Sequence, residues 1–314
     1  MRTKTAGWLK SPGYYSYKHK ISRRNFRNKI AILAVPVISF GLVVAGPNLG
    51  RPSLSAQQPA TVLAQAVEAL PEATPPPVHS LDNSADIQQV LESWASSHPE
   101  HKWSVVVQGL DSDTRKASIN PDTKYTAASI YKLMLSYSLF SKYSPETLAN
   151  TSVNIGEGGR TDLKSCFELM ISVSDNPCGV AVGNLLGWTR VTGDFKRLGL
   201  LNTDFRGYSG PVTTAGDTAL FLAKMHAGEL FDTSTQQYIL NLMQQQKLRS
   251  GIPAGCPSCR VSDKTGDLGF VRHDAGIVSY STGSYILSIF TDGASYNQIA
   301  ELTSKIQALM SPTP

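Results

Sequence analysis

The sequence predicts an α+β fold: a five-stranded antiparallel sheet flanked by N- and C-terminal helices, with an inserted all-helical lobe. Three observations lead there. Two β-rich runs joined by a polar turn come early, at residues 103–109 and again up to Ile119. Three more come late, at 260–265, 273–280 and 284–291. Between the two groups lies a long helical stretch, about 128–249, cut by Gly- and Pro-containing loops. One sheet can form only if the distant strand groups pair, and the intervening helices must then build a lobe of their own. A cleft follows between sheet and lobe, and clefts of that kind are where ligands sit.

The elements follow in chain order. The first, residues 1–29, is a basic leader. Nine of the 29 basic residues lie here, from Arg2 to Lys29, and no acidic residue does. The chain's net charge of +5 therefore belongs to the leader, and acids outnumber bases in the remainder. The folded part shows no basic face, which argues against nucleic acid as a partner. Residues 30–46 (IAILAVPVISFGLVVAG) are uncharged and mostly apolar. They sit at the short end of the roughly 17–25 residues that span a bilayer. With cations on one side only, the expectation is a transmembrane or signal segment, the N-terminus inside and the domain extracytoplasmic. An uncleaved anchor is preferred, which makes the membrane a partner through 30–46. Ser22-Arg23-Arg24-Asn25-Phe26 also resembles the start of a twin-arginine export signal, and small residues near Ser55 and Ala56 offer a cleavage point.

Residues 47–85 read as a linker, with seven prolines that break helix and strand. The folded domain is expected over 86–310. Ile87, Val90, Leu91 and Trp94 recur at the spacing of one apolar helix face, with Ser84 as N-cap. Ile299, Leu302, Ile306 and Leu309 mark a closing helix in the same way. Four cysteines, Cys166, Cys178, Cys256 and Cys259, fit two disulfides in an exported domain. Local pairing, 166 with 178 and 256 with 259, is the expected arrangement. Half a zinc site or a redox motif at Cys256-x-x-Cys259, and free buried cysteines, are the alternatives.

Three short motifs carry the chemistry. Ser129-Ile130-Tyr131-Lys132 lies where loop turns into helix, so hydroxyl and amine share one helix face. A desolvated lysine is able to take the serine's proton, and the helix N-terminus favours developing negative charge. Ser174-Asp175-Asn176 follows a helical run and precedes Pro177. By itself it also suits a helix N-cap. Lys264-Thr265-Gly266 ends an extended stretch leading into the last strands. By itself it is a simple strand exit.

In this order the three motifs resemble the signature set of class A β-lactamases and related penicillin-binding proteins. Gly251-Ile252-Pro253-Ala254-Gly255 and His273-Asp274-Ala275-Gly276-Ile277-Val278 resemble the family too. The resemblance covers about 86–310 and implies the β-lactamase/transpeptidase fold. It also implies roles. Ser129 is the nucleophile, Lys132 assists proton removal and Ser174 relays a proton to the leaving nitrogen. Asn176 holds the substrate's amide side chain, Lys264 and Thr265 bind the substrate carboxylate and tune Ser174, and Gly266 is substrate-binding beside them. Backbone N–H groups of Ser129 and Asp267 form the oxyanion hole. β-Lactams or D-Ala-D-Ala-like wall peptides are the implied substrates. The chemistry needs no metal and no organic cofactor, and a monomer is expected.

Two departures stand out. The family carries a Glu deacylation base on a long loop after the second motif. Here no Glu occurs between Glu168 and Glu229. The loop looks deleted, with Asp204 only a weak substitute. The carboxylate site also lacks a clear arginine, Arg272 being a weak candidate, and Asp267 adds a negative side chain beside it. His273 reads as structural. The expectation is a serine acyl-transfer hydrolase with deacylation in doubt. A surface-anchored non-catalytic binding module and a small-ester hydrolase of the same fold are the alternatives.

Overall fold

The computed structural model describes residues 82–207 and 210–311. The leader, residues 30–46 and nearly all of the linker lie outside them. Among the described residues no helix is long and apolar enough to cross a membrane.

The N-terminal helix α1 (Ser84–Ser97) buries Ile87, Leu91 and Trp94, three of the four residues expected on its apolar face. Its N-cap is Asn83 and not Ser84. The Ser84 hydroxyl is turned outward, donating to Asp82 Oδ1 and accepting from the Lys116 amide. The early hairpin follows as β1 (Lys102–Gly109) and β2 (Lys116–Ile119). At its turn Arg115 pairs with Asp113 and donates to the carbonyls of Leu309 and Met310. The hairpin is thereby tied to the far end of the chain.

The lobe contains β3 (Tyr125–Thr126), α2 (Ile130–Phe140), α3 (Pro145–Leu148), β4 (Ser152–Asn154), β5 (Arg160–Asp162), α4 (Leu163–Ser172), α5 (Asn176–Leu186), α6 (Trp188–Arg197), β6 (Val212–Thr213), α7 (Ala215–His226) and α8 (Thr233–Gln244). Helices fill most of the expected stretch, about 128–249, and α4 matches the helical run that precedes Ser174. Two short ribbons, β3–β6 and β4–β5, supplement them. Strands of two or three residues leave no legible alternation, so the sequence does not announce them. After α8 come α9 (Ile252–Gly255), β7 (Arg260–Leu268), β8 (Val271–Tyr280), β9 (Gly283–Asp292) and α10 (Tyr296–Met310).

The five strands form one antiparallel sheet in the order β2-β1-β9-β8-β7. The last strand lies beside the first, with Val105 opposite Ile289. Both faces are covered, so β8 and β9 are buried almost continuously instead of alternating. Val261, Val278, Tyr285, Leu287 and Ile289 pack with α1 and α10 on one side. Ala275, Ile277, Ile286 and Phe290 pack with the lobe helices on the other. β7 is the sheet edge nearest α2 and α8. It runs to Leu268, so Lys264-Thr265-Gly266 lies inside the strand and not at its end.

Both expected disulfides form. Cys256–Cys259 closes the turn between α9 and β7. Cys166–Cys178, with Cα atoms 5.1 Å apart, joins α4 to α5 across the loop that carries Ser174. By loop-closure entropy the second is worth about 3 kcal/mol. Replacing Cys166 and Cys178 together by Ser is expected to lower unfolding free energy by about that amount in urea titration. A double variant as stable as the parent would refute this.

Candidate active site

The turn before α2 sets Ser129. Thr126 and Ala127 are held on two sides. His273 Nε2 donates to the Thr126 carbonyl at 2.9 Å, and the Ala127 amide donates to the Pro211 carbonyl at 2.8 Å. His273 is fully buried and stacked on Phe290. Burial pushes its pKa down to about 4, so the ring is neutral, and its hydrogen bonds set the tautomer with the proton on Nε2. It is structural, as expected. Ala128 then takes φ +44°, a left-handed conformation uncommon for alanine, and Ser129 follows as the N-cap of α2. Gly266 on β7 makes this possible. A Cβ there would sit 3.1–3.2 Å from Ile130, the Ala127 carbonyl and Ala128 Cβ.

Lys132 is fully buried beneath Ser129. Its Nζ lies 3.0 Å from Ser129 Oγ, 2.7 Å from Asn176 Oδ1, and 2.5 Å and 3.3 Å from the carbonyl and hydroxyl oxygens of Ser174. Ser174 sits between α4 and α5 at φ +60°, again left-handed. Asp175 turns away to cap α5 by accepting from the Cys178 amide at 2.8 Å. Lys264 approaches from the sheet side, also fully buried. Its Nζ donates to Ser174 Oγ (3.0 Å), Gln246 Oε1 (3.1 Å) and the Thr265 carbonyl (3.0 Å). All three ammonium hydrogens therefore have protein partners, and the Thr265 hydroxyl also donates to Gln246 Oε1 at 3.0 Å. Ser174 thus bridges two lysines. Burial is the main force on both, lowering Lys132 to about 8 and Lys264 to about 7. The positive charge of Lys132 adds to the second shift.

Ser129 and Ser174 are half-buried and Asn176 is exposed, so two hydroxyls and an amide face the cleft while both amines form its floor. Asp267 is exposed and its carboxylate lies 3.7 Å from Arg272 Nε. Arg272 also donates to the Ala294 carbonyl. It offsets Asp267's charge and is committed to that role. Asp204, weighed above as a substitute base, is held by the Arg206 guanidinium, which lowers its pKa to about 2. Its strand bridge to Val212 fixes it there. A carboxylate of that acidity is a poor proton acceptor.

The structure brings Ser129, Lys132, Ser174, Asn176, Lys264 and Thr265, all named from the sequence, into one cluster. Sequence reasoning missed Gln246, which bonds both Lys264 and Thr265, and Tyr296, whose hydroxyl donates to the Gly266 carbonyl at 3.1 Å. Gln246 ends a run of three glutamines, and nothing in that run marks which one turns inward. A cavity of about 650 Å³ between α4 and α8 is a different place; its lining includes Ser172 but neither lysine.

A buried amine against a serine at a helix start, with a second hydroxyl between two amines, defines a serine hydrolase of the β-lactamase and DD-peptidase kind. Residues 84–310 match the β-lactamase enzyme family, and the chain belongs to it. No curated protein matches the chain. Among solved structures, it is similar to PBP-A, at 22% identity and TM-score 0.66 over 72% of this chain and 96% of that one. A mutant of PBP-A, solved as its acyl-enzyme complex with penicillin G, matches at the same identity and TM-score over 72% and 97%. The β-lactamase from Sphaerobacter thermophilus DSM 20745 matches at 18% and 0.60 over 70% and 95%. These likenesses are of fold.

Lys132 reaches Ser129 through a gap left by Gly179 on α5. A Cβ at 179 would lie 2.5 Å from Tyr131 Oη and 2.8 Å from Lys132 Cε. Helix propensity alone favours Gly179→Ala by about 1 kcal/mol. The clash is expected to reverse that sign, lowering the thermal midpoint and moving Lys132 off Ser129. A more stable variant with Lys132 unmoved in its crystal structure would contradict this.

Proposed function

We propose that this chain is acylated at Ser129 by β-lactams and by D-Ala-D-Ala-like wall peptides, and that its acyl-enzyme deacylates slowly. The observation that carries the reading is the fully buried Lys132 amine 3.0 Å from the Ser129 hydroxyl. Held near a pKa of about 8, it is neutral in a useful fraction at neutral pH and able to accept the serine proton. Ser129 Oγ then attacks the carbonyl carbon, and the oxyanion turns to the backbone N–H groups of Ser129 and Asp267. The Ser174 hydroxyl gives its proton to the leaving nitrogen and is resupplied from the lysine on either side. Asn176 receives the substrate's amide side chain. The charge of Lys264, with Thr265 and Gly266 at the strand edge, attracts the substrate carboxylate. That carboxylate must take over a hydrogen now given to Gln246 or Ser174.

Slow deacylation follows from what surrounds the acyl-serine. No Glu lies between Glu168 and Glu229, and Asp204 is bound to Arg206. Neither a Glu in that stretch nor Asp204 is then available to activate water. We place the domain outside the cytoplasmic membrane, held by 30–46. The one-sided charge of the leader and the two disulfides support this.

Incubating the full chain with a penicillin and following intact mass should give a persistent adduct on wild type and none on Ser129→Ala. A fleeting adduct with hydrolysed drug would mean efficient β-lactamase turnover. No adduct at any time would remove β-lactams as substrates and favour the ester hydrolase or the silent module.

The acylation rate should also report the two amines. Neutral Lys132 is gained as pH rises through about 8, and protonated Lys264 is lost as pH rises through about 7. A bell with its top between these values is expected, its limbs belonging to the coupled pair. Lys132→Met should cost about 10²–10⁴ in rate. A rate flat from about pH 6 to about pH 9 would exclude Lys132 as the base.

A further inference from the structure

We infer that Gln246 is a positioning residue of the acyl-transfer site: anchored on a buried carboxyl pair, its side-chain amide holds Lys264 and Thr265 against Ser174. The inference rests on the acyl-transfer reading above. Gln246 follows α8 and is almost wholly buried. Its Oε1 accepts three hydrogens, from Lys264 Nζ (3.1 Å), the Thr265 amide (3.2 Å) and the Thr265 hydroxyl (3.0 Å). Its Nε2 donates to Asp263 Oδ2 at 2.7 Å and to the Asp263 carbonyl at 3.1 Å. Only one amide orientation is allowed. Turned over, the NH₂ would meet two N–H donors and the carbonyl would meet two acceptors. The side chain is therefore a fixed strut between a donor cluster and an acceptor cluster.

The far end of the strut is equally fixed. Asp263 accepts from Arg249 Nη1 at 2.8 Å, and Asp274 on the next strand accepts from the Ile252 amide at 2.8 Å. Asp274 Oδ1 is buried with no hydrogen-bond partner unless a carboxyl proton supplies one. Burial and mutual repulsion push the Asp263 carboxyl well up, and burial pushes Asp274 up to about 6. One proton retained between them satisfies the orphan oxygen and leaves a single negative charge opposite Arg249. The charged groups facing Lys264 are then Lys132 from α2, Asp263 from its own strand and Asp274 from β8, while Arg249 from the segment after α8 pairs with Asp263. Gln246 supplies a neutral oxygen in that company, so Lys264 is held without being over-stabilised as a cation.

Two near-isosteric substitutions separate this from a role in packing alone. Gln246→Met removes the acceptor, and Gln246→Glu makes it anionic. In the full chain labelled at lysine Cε with ¹³C, the Lys264 signal is assigned by its loss in Lys264→Arg. Its titration midpoint should move down in Gln246→Met and up in Gln246→Glu. The penicillin acylation rate at pH 7 should fall about tenfold in Gln246→Met, as for loss of a hydrogen bond to a charged group. In Gln246→Glu the basic limb should move to higher pH. Unmoved midpoints in two folded variants would overturn the inference, whatever penicillin does. Opposite shifts in the two variants, with a wild type that penicillin never labels, would keep Gln246 as the strut and sink the β-lactam reading instead.

Discussion

Two lysines buried side by side, with no carboxylate among the described residues in hydrogen-bond contact with either, are the constraint around which the site is arranged. A buried ammonium is costly unless its hydrogens are satisfied. Here they are satisfied by neutral oxygens only: Ser129, Ser174 and Asn176 around Lys132, and Ser174, Gln246 and Thr265 around Lys264. A carboxylate in either shell would hold the amine charged and remove it from proton transfer. Neutral acceptors under burial do the opposite and bring both amines into the range where they exchange protons near neutral pH.

Much of the local architecture serves to deliver those oxygens. The left-handed residues Ala128 and Ser174 aim two hydroxyls at one amine, conformations that persist only where the surroundings fix them. His273, neutral and buried, holds the first turn, and the Cys166–Cys178 bridge holds the helices on either side of the second. Glycine is needed at two contacts. Gly266 lets β7 approach the Ser129 turn, and Gly179 leaves room for the Lys132 stem. Asp175 caps α5 and makes no hydrogen bond to Lys132, but its nearby charge still raises that amine's pKa against the larger effect of burial.

The site was legible to the extent that it is linear. Ser129 and Lys132 are one helical turn apart, so spacing alone placed them on one face. Ser174 and Lys264 became legible only through the order of three motifs. The helix faces of α1 and α10 and both disulfides were likewise readable, because period and local spacing carry them. Less legible were features with no periodic signature: the ribbons β3–β6 and β4–β5, the N-cap at Asn83 in place of Ser84, and the continuation of β7 past Gly266. Asp204 shows the reverse case. Its place in the chain made it a conceivable base, and its bond to Arg206 removed it.

The sequence by itself determined which polar residue types are available to the cleft, the α+β order of elements and the lack of any Glu between Glu168 and Glu229. Those depend on residue type, period and order along the chain, which folding does not alter. Tertiary structure alone decided which groups are desolvated and what they face. Lys132, Lys264, Gln246, Asp263 and Asp274 come from four separate segments, and their protonation depends on distances set only when β9 pairs with β1 and the lobe closes over β7. Burial acts through that three-dimensional neighbourhood, so no reading of neighbours along the chain recovers it.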